Sequence, residues 1–163
     1  KVPFSPLIYG GHQESNRRGG TESVPLIVSI GKAAELARKH LPNYSKKVRP
    51  LRDALEDGIL SSIPNTELNG HKTQRLANTT NLTFHGIESE ALLILLDQEG
   101  ICASSGSACL ADSTEPSHVI KAMKPALETP RQVIRYSLGF CNTDNEIKQT
   151  VRVLHRVVRT LLD

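Results

Sequence analysis

Long apolar runs are missing from this 163-residue sequence. No stretch approaches the ~18–20 residues that a bilayer-spanning helix needs, so no membrane association is expected. Aromatic residues are scarce, with three Phe and three Tyr, and charge of one sign is not in excess, with 20 Lys and Arg against 17 Asp and Glu. The basic residues are scattered, as in Arg38-Lys39 and Lys46-Lys47, and with so few aromatics they are not regularly interleaved with them. That pattern lacks the footprint of a nucleic-acid surface. Cysteine is limited to Cys102, Cys109 and Cys141. An odd count without a C-x-x-C pair argues against a disulfide framework and for free thiols in a reducing compartment, the cytoplasm or an organelle matrix. The six histidines show no metal-ligand spacing. The start, Lys1-Val2-Pro3-Phe4-Ser5-Pro6, has no signal- or transit-peptide character and no initiator methionine, so processing or fragmentation is expected.

What is present is an ordinary globular composition, 38% apolar. Residues 1–23 are Gly-rich and polar and read as irregular. Ser23 and Pro25 then open a helix with Ile27, Ile30, Ala34 and Ala37 on one side, which Pro42 is expected to stop. A second helix is expected over about 45–62, with Val48, Leu51, Leu55 and Ile59 on one face and Pro50 either starting or kinking it. Strands are expected at Asn81-Leu82-Thr83-Phe84, with β-branched Thr79 and Thr80 before it, at Gly100-Ile101-Cys102-Ala103, which would bury Cys102, and at 133–138. Helices are expected from Glu88 to Leu96, from Pro116 to about Lys124, and at the C-terminus. There Thr143 and Glu146 form a capping box ahead of an apolar face of Ile147, Val151, Leu154, Val158 and Leu161. Alternating strands and helices predict an α/β layer. The organisation expected is a Gly-rich segment at 1–23, connecting helices at 24–65 and a compact domain at 66–163.

The chemistry concentrates in Ser104-Ser105-Gly106-Ser107-Ala108-Cys109. Residues 104–115 have no periodicity and are nearly all small, which predicts a mobile loop. A cysteine on such a loop is accessible, whereas inert cysteines sit among apolar side chains. At an unperturbed pKa only about 3% of a thiol is thiolate at pH 7. The sequence does not identify the group that would activate Cys109.

The run from Gly100 to Cys109, with Glu115-Pro116-Ser117-His118-Val119 and Ile134-Arg135-Tyr136-Ser137-Leu138-Gly139, resembles the NifS/IscS-type cysteine desulfurases. So does Gly10-Gly11-His12-Gln13-Glu14 with Arg17-Arg18-Gly19-Gly20-Thr21-Glu22. The resemblance runs the length of the chain and corresponds to about the last two-fifths of that family's polypeptide. It implies an α/β fold: the end of a large cofactor domain, connecting helices and the C-terminal small domain of a fold-type I pyridoxal-phosphate transferase. It also implies removal of sulfur from L-cysteine, leaving L-alanine, with the sulfur passed to an acceptor or scaffold protein for iron–sulfur cluster assembly. Carried over position by position, Cys109 is the persulfide cysteine and a transient ligand of a nascent cluster, and Arg135 holds the substrate carboxylate. Thr21 reaches the cofactor phosphate of the other subunit, which implies a homodimer. Read without the resemblance, Arg135 is a strand-end arginine in a surface salt bridge, and Gly19-Gly20-Thr21 is a turn before a helix.

The sequence departs from the family at Ser15-Asn16, where Arg-Gly is usual, at Phe140, where Arg is common, and at Ala77, where Pro is common. The lysine that binds pyridoxal phosphate is not matched. His71-Lys72 lacks the Gly-Pro-Lys-Gly that should follow it, and Lys32 reads as a solvated helix charge. Two other readings share these residues: a selenocysteine lyase, and a non-enzymatic persulfide carrier or dimerisation module.

Overall fold

Neither Pro42 nor Pro50 ends a helix. A single helix, α1, runs Val24–Ser62 and contains both, so the expected stop at Pro42 and restart near 45 are corrected. A proline inside a helix removes one main-chain hydrogen bond and costs about 3 kcal/mol. Residues 33–41 and 51–60 are mostly good helix formers, and around Pro50 the buried side chains of Val48, Leu51, Leu55 and Ile59 add packing that offsets the loss. The computed structural model describes residues 3–106, 117–125 and 131–162. The chain divides into two compact units, Lys1–Pro42 and Asn43–Asp163, so the expected connecting segment 24–65 is shared between them.

In the first unit Gly19 passes so close to Tyr9 and Gly10 that an added Cβ would lie 2.7 Å from the Tyr9 carbonyl oxygen. Its amide donates to the Ile8 carbonyl at 2.8 Å. Only glycine fits that crossing. Between its two arms, Gln13–Asn16 closes a single turn in which Glu14, Ser15 and Asn16 all take left-handed backbone, with φ of 51°, 59° and 64°. The segment expected to be irregular therefore holds an ordered turn. It is braced by His12 Nδ1 and Asn16 Oδ1 at 2.6 Å. The α1 residues of this unit expose Val24, Leu26, Ile27, Val28 and Ile30.

The second unit is built on a three-stranded antiparallel sheet in the order β1–β2–β3: β1 Thr66–Leu68, β2 Thr79–Phe84 and β3 Val133–Ser137. Helices α2 (Ser89–Gln98), α3 (His118–Met123) and α4 (Asp144–Leu162) complete it. Alternation assigns the strand residues to two faces. Leu82, Phe84, Ile134 and Tyr136 join Val48, Leu51, Leu55 and Ile59 of α1, Leu92 and Leu96 of α2, and Ile147, Leu154 and Val158 of α4 in one buried cluster. The opposite face carries Thr79, Asn81 and Thr83 beside Val133, Arg135 and Ser137. β1 was not expected, because three residues are too few to show a period.

The capping box of α4 forms as expected. Glu146 accepts from the Thr143 amide at 2.8 Å, and the Glu146 amide donates to Thr143 Oγ1 at 3.4 Å. The strand expected at 100–103 does not form. Gly100 turns the chain with φ 73°, and only Ser104 bridges to β3. Ile101 and Ala103 pack against the core, so the intervening Cys102 points away and is exposed. This corrects the expectation that Cys102 is buried.

Candidate functional site

The site is rooted where the chain leaves the core beside β3. Ser104 donates its amide to the Arg135 carbonyl at 3.1 Å and accepts the Arg135 amide at 2.7 Å. Its hydroxyl donates to the Gly106 carbonyl at 2.9 Å, curling the segment back on itself. Because both main-chain groups of Arg135 face Ser104, its pairing with Asn81 across β2 is of the non-hydrogen-bonded type, in which side chains lie closer together.

Arg135 and Asn81 line a cleft of about 280 Å³ on the polar face of the sheet. Ser105, Gly106 and Ser117 also line it, with Leu76, Val119 and Met123 supplying apolar wall. Two arginines reach this cleft and are employed differently. Arg75 pairs with Glu56 at 3.0 Å, both side chains nearly buried at 11% and 12% exposure, and donates to the Thr79 carbonyl at 2.9 Å. Thr80 donates to the same Glu56 carboxylate at 2.6 Å. Arg135 is half-buried, and its guanidinium has no hydrogen-bond or ion-pair partner among the described residues. The surface salt bridge that its position in a strand would suggest is not found among the described residues. An unpaired guanidinium beside a partly apolar cleft can grip a carboxylate through two parallel hydrogen bonds.

Beneath Asn81 lies a polar triad that the sequence reading missed. Buried Asn69 donates to Asn81 Oδ1 at 2.7 Å and to Thr83 Oγ1 at 2.9 Å. The signal was available in the alternation of β2, which places Thr79, Asn81 and Thr83 on one face.

Of the other expected site residues, Cys109 lies outside the described residues, as does most of the expected loop 104–115. Thr21 belongs to the first unit, on the far side of the Gly19 crossing. Arg18 folds over this loop, donating to the carbonyls of Gly19 and Gly20 at 3.0 Å each. That arrangement leaves the Thr21 hydroxyl exposed and without a hydrogen bond among the described residues. Such a hydroxyl fits one corner of a phosphate. The fit to a whole pyridoxal phosphate is only partial, because neither lysine considered is suited to a covalent link. Lys32 is exposed and bound to Glu35 at 2.8 Å, and Lys72 is exposed. His71 beside it is spent on its own turn, accepting from the Thr73 and Gln74 amides. Phe140, where the resemblance leads one to expect Arg, lies under the Lys47 ammonium at 4.1 Å from the ring centre. Among the described residues no group of three His, Cys, Asp or Glu could hold a metal, and no helix is long and apolar enough to cross a membrane.

Comparison with known proteins places these features in a family context. Residues 6–150 match the family described as aminotransferase class-V. The chain is 51% identical over 98% of its length to "Cysteine desulfurase 2" of Trichormus variabilis. It is 48% identical to "Cysteine desulfurase IscS" of Methanosarcina thermophila over 98% of its length, and 44% identical to "Cysteine desulfurase NifS" of Azotobacter vinelandii over 97%. It spans 40%, 39% and 39% of those three relatives. Among solved structures it superposes on a NifS-like protein with a TM-score of 0.82 at 30% identity, covering 98% of this chain and 40% of that one. A NifS-like protein from Rickettsia africae gives 0.79 at 32% identity, covering 95% and 40%.

Proposed function

Since the chain belongs to the class-V aminotransferase family, we propose that it is part of a cysteine desulfurase and supplies that enzyme's sulfur-accepting cysteine and its substrate-carboxylate arginine. The observation that carries this reading is the Arg135 guanidinium, unpaired among the described residues, beside Ser105 and Gly106, the latter three residues before Cys109. The relatives named cysteine desulfurases support it.

In this reading the cleft binds L-cysteine by its carboxylate on Arg135, which fixes the orientation of the amino acid. Pyridoxal phosphate, when bound, supplies the electron sink that weakens the substrate C–S bond. Thr21 contributes one hydroxyl to its phosphate, by the resemblance in the partner subunit of a homodimer. The Cys109 thiolate takes the sulfur: a bond forms between Cys109 Sγ and the substrate sulfur, the C–S bond breaks, and the carbon gains a proton. The products are L-alanine and a Cys109 persulfide, and no external oxidant or reductant is consumed. The segment beyond Ser104 then carries the persulfide to an acceptor protein, as a scaffold for iron–sulfur clusters would require. Cys109 briefly shares the nascent cluster as cargo. The domain division follows the same reading: 1–23 closes the large domain, 24–65 connects, and 66–163 forms the small domain. The exposed thiols of Cys102 and Cys141 suit the reducing cytoplasm.

The test uses the full-length enzyme, given L-cysteine without an added reductant. The expected result is one persulfide, mapped by mass spectrometry to Cys109, with alanine formed in equal amount. Cys109→Ser should retain the cofactor spectrum and form no persulfide, while Cys102→Ala and Cys141→Ala should keep activity within a few-fold. Persulfide formation at the parent rate in Cys109→Ser would overturn the proposal.

A further inference from the structure

We propose that Asn81 is a second donor to the carboxylate, completing with Arg135 a two-residue anion clamp built across β2 and β3. The inference rests on reading Arg135 as the carboxylate residue and adds a residue that nothing in the motif pattern marks. Three observations carry it. Asn81 and Arg135 are direct cross-strand partners, and the pair is of the closer, non-hydrogen-bonded type, because both main-chain groups of Arg135 are engaged by Ser104. Cβ atoms in such a pair lie roughly 4.5–5.5 Å apart, about the span over which two donors can share one carboxylate. Second, both residues line the same cleft.

Third, the Asn81 amide is oriented. Its Oδ1 accepts from Asn69 Nδ2 at 2.7 Å, and its main-chain carbonyl accepts from the Asn69 amide at 2.9 Å. Asn69 is itself buried and tied to Thr83. With its oxygen held, Asn81 has only its Nδ2 protons to offer, and these have no partner among the described residues. A ligand suited to an unpaired cation and an oriented amide N–H₂ side by side is an anion with two oxygens on one carbon. The wall of Leu76, Val119 and Met123 then faces a small apolar substituent. The ligand class is a compact α-amino carboxylate.

The test is titration of the ¹⁵N-labelled chain with L-alanine, and with L-alaninamide as the control lacking a carboxylate. The Asn81 side-chain amide and Arg135 Nε resonances should shift together with alanine and stay still with alaninamide. Asn81→Asp keeps an oxygen for Asn69 and replaces the donor by an anion facing Arg135, so it should hold its melting temperature and lose alanine binding. In the full-length enzyme it should raise KM for L-cysteine by on the order of ten-fold or more with little change in kcat. If Arg135 Nε moves but the Asn81 amide does not, and Asn81→Asp binds like the parent, the inference on Asn81 is overturned and the role of Arg135 stands. If neither resonance moves, the carboxylate reading of Arg135 falls as well, and Asn81 with it.

Discussion

Ser104 and Arg135 exchange both of their main-chain hydrogen bonds, at 3.1 and 2.7 Å. The residue that would orient the substrate and the start of the segment that leads to Cys109 are therefore one backbone unit. Ser104→Pro removes the amide that donates to the Arg135 carbonyl. A lost main-chain bond here should cost about 1 kcal/mol of stability, with a larger fall in persulfide formation, because both reacting partners lose their common anchor. Ser104→Ala keeps the pair and loses only the hydroxyl contact to Gly106. Stopped-flow persulfide formation in the full-length enzyme, beside thermal melts, should rank parent, Ala and Pro in that order. Equal rates for Ala and Pro would show that the anchor is dispensable.

The two arginines of the cleft should separate cleanly. Arg135 has no partner to orphan among the described residues, so Arg135→Ala should leave the melting temperature nearly unchanged. It should raise KM for L-cysteine by about 10–150-fold, the range of a charge-assisted pair. Arg75→Ala strands the nearly buried Glu56 carboxylate, and breaking such a pair costs about 3 kcal/mol. Its effect should appear in denaturant melts and not in KM. The reverse pattern would exchange the roles assigned to them.

Much of this was legible in the sequence. The apolar spacing at Val48, Leu51, Leu55 and Ile59 marked the core face of α1, and Thr143-x-x-Glu146 marked the start of α4, because both are local patterns. Pro42 misled, because a local breaker rule was set against the helix-forming run 33–41 before it and the packing of Val48 and Leu51 after it. Cys102 misled for a different reason: a run of small and apolar residues looks like a buried strand, and only the Gly100 turn and the Ser104 bridge decide which side chains face in. The motif resemblance marks Arg135, but the contrast between Arg75 and Arg135 could not be read from the residues themselves. Each looks like a surface arginine, and which one is spent depends on Glu56, 19 residues before Arg75 in the chain and 79 before Arg135.

Acid should loosen the start of α4 before the core. The Thr143 main-chain N–H and hydroxyl, with Asn142, hold the Glu146 carboxyl below the usual carboxylate range. A carboxyl whose folded pKa is depressed contributes stability that is present above its unfolded pKa, near 4.5, and is lost as pH falls through the folded value. Hydrogen exchange of the first-turn amides of α4 should therefore accelerate below about pH 4.5 relative to the core strands. Glu146→Gln should flatten that dependence. An unchanged pH profile in the Gln variant would mean that the box contributes nothing in solution.

Tyr136 is a core residue whose chemistry works against its position. It is 3% exposed, on the core face of β3, and its hydroxyl has no hydrogen-bond partner among the described residues. A buried, unpaired hydroxyl costs about 1–3 kcal/mol in lost hydration. Tyr136→Phe removes only that oxygen and keeps the ring among Leu55, Leu138 and Ile147. It should raise stability by about 1 kcal/mol, or several degrees in melting temperature for a unit of this size. The same burial pushes the phenol pKa well above its ordinary 10.0. In the unfolded chain the phenol ionises near pH 10, while in the folded chain it stays protonated, so the unfolded state binds fewer protons there. The parent should lose stability as pH rises above about 10, by roughly 1.4 kcal/mol per unit for this one group, and the Phe variant should lose correspondingly less. Urea melts of both proteins across pH 8–11 provide the measurement. A Phe variant that is less stable at neutral pH would show that the hydroxyl has a partner in solution, and parallel alkaline slopes would show that the phenol is not held neutral by burial.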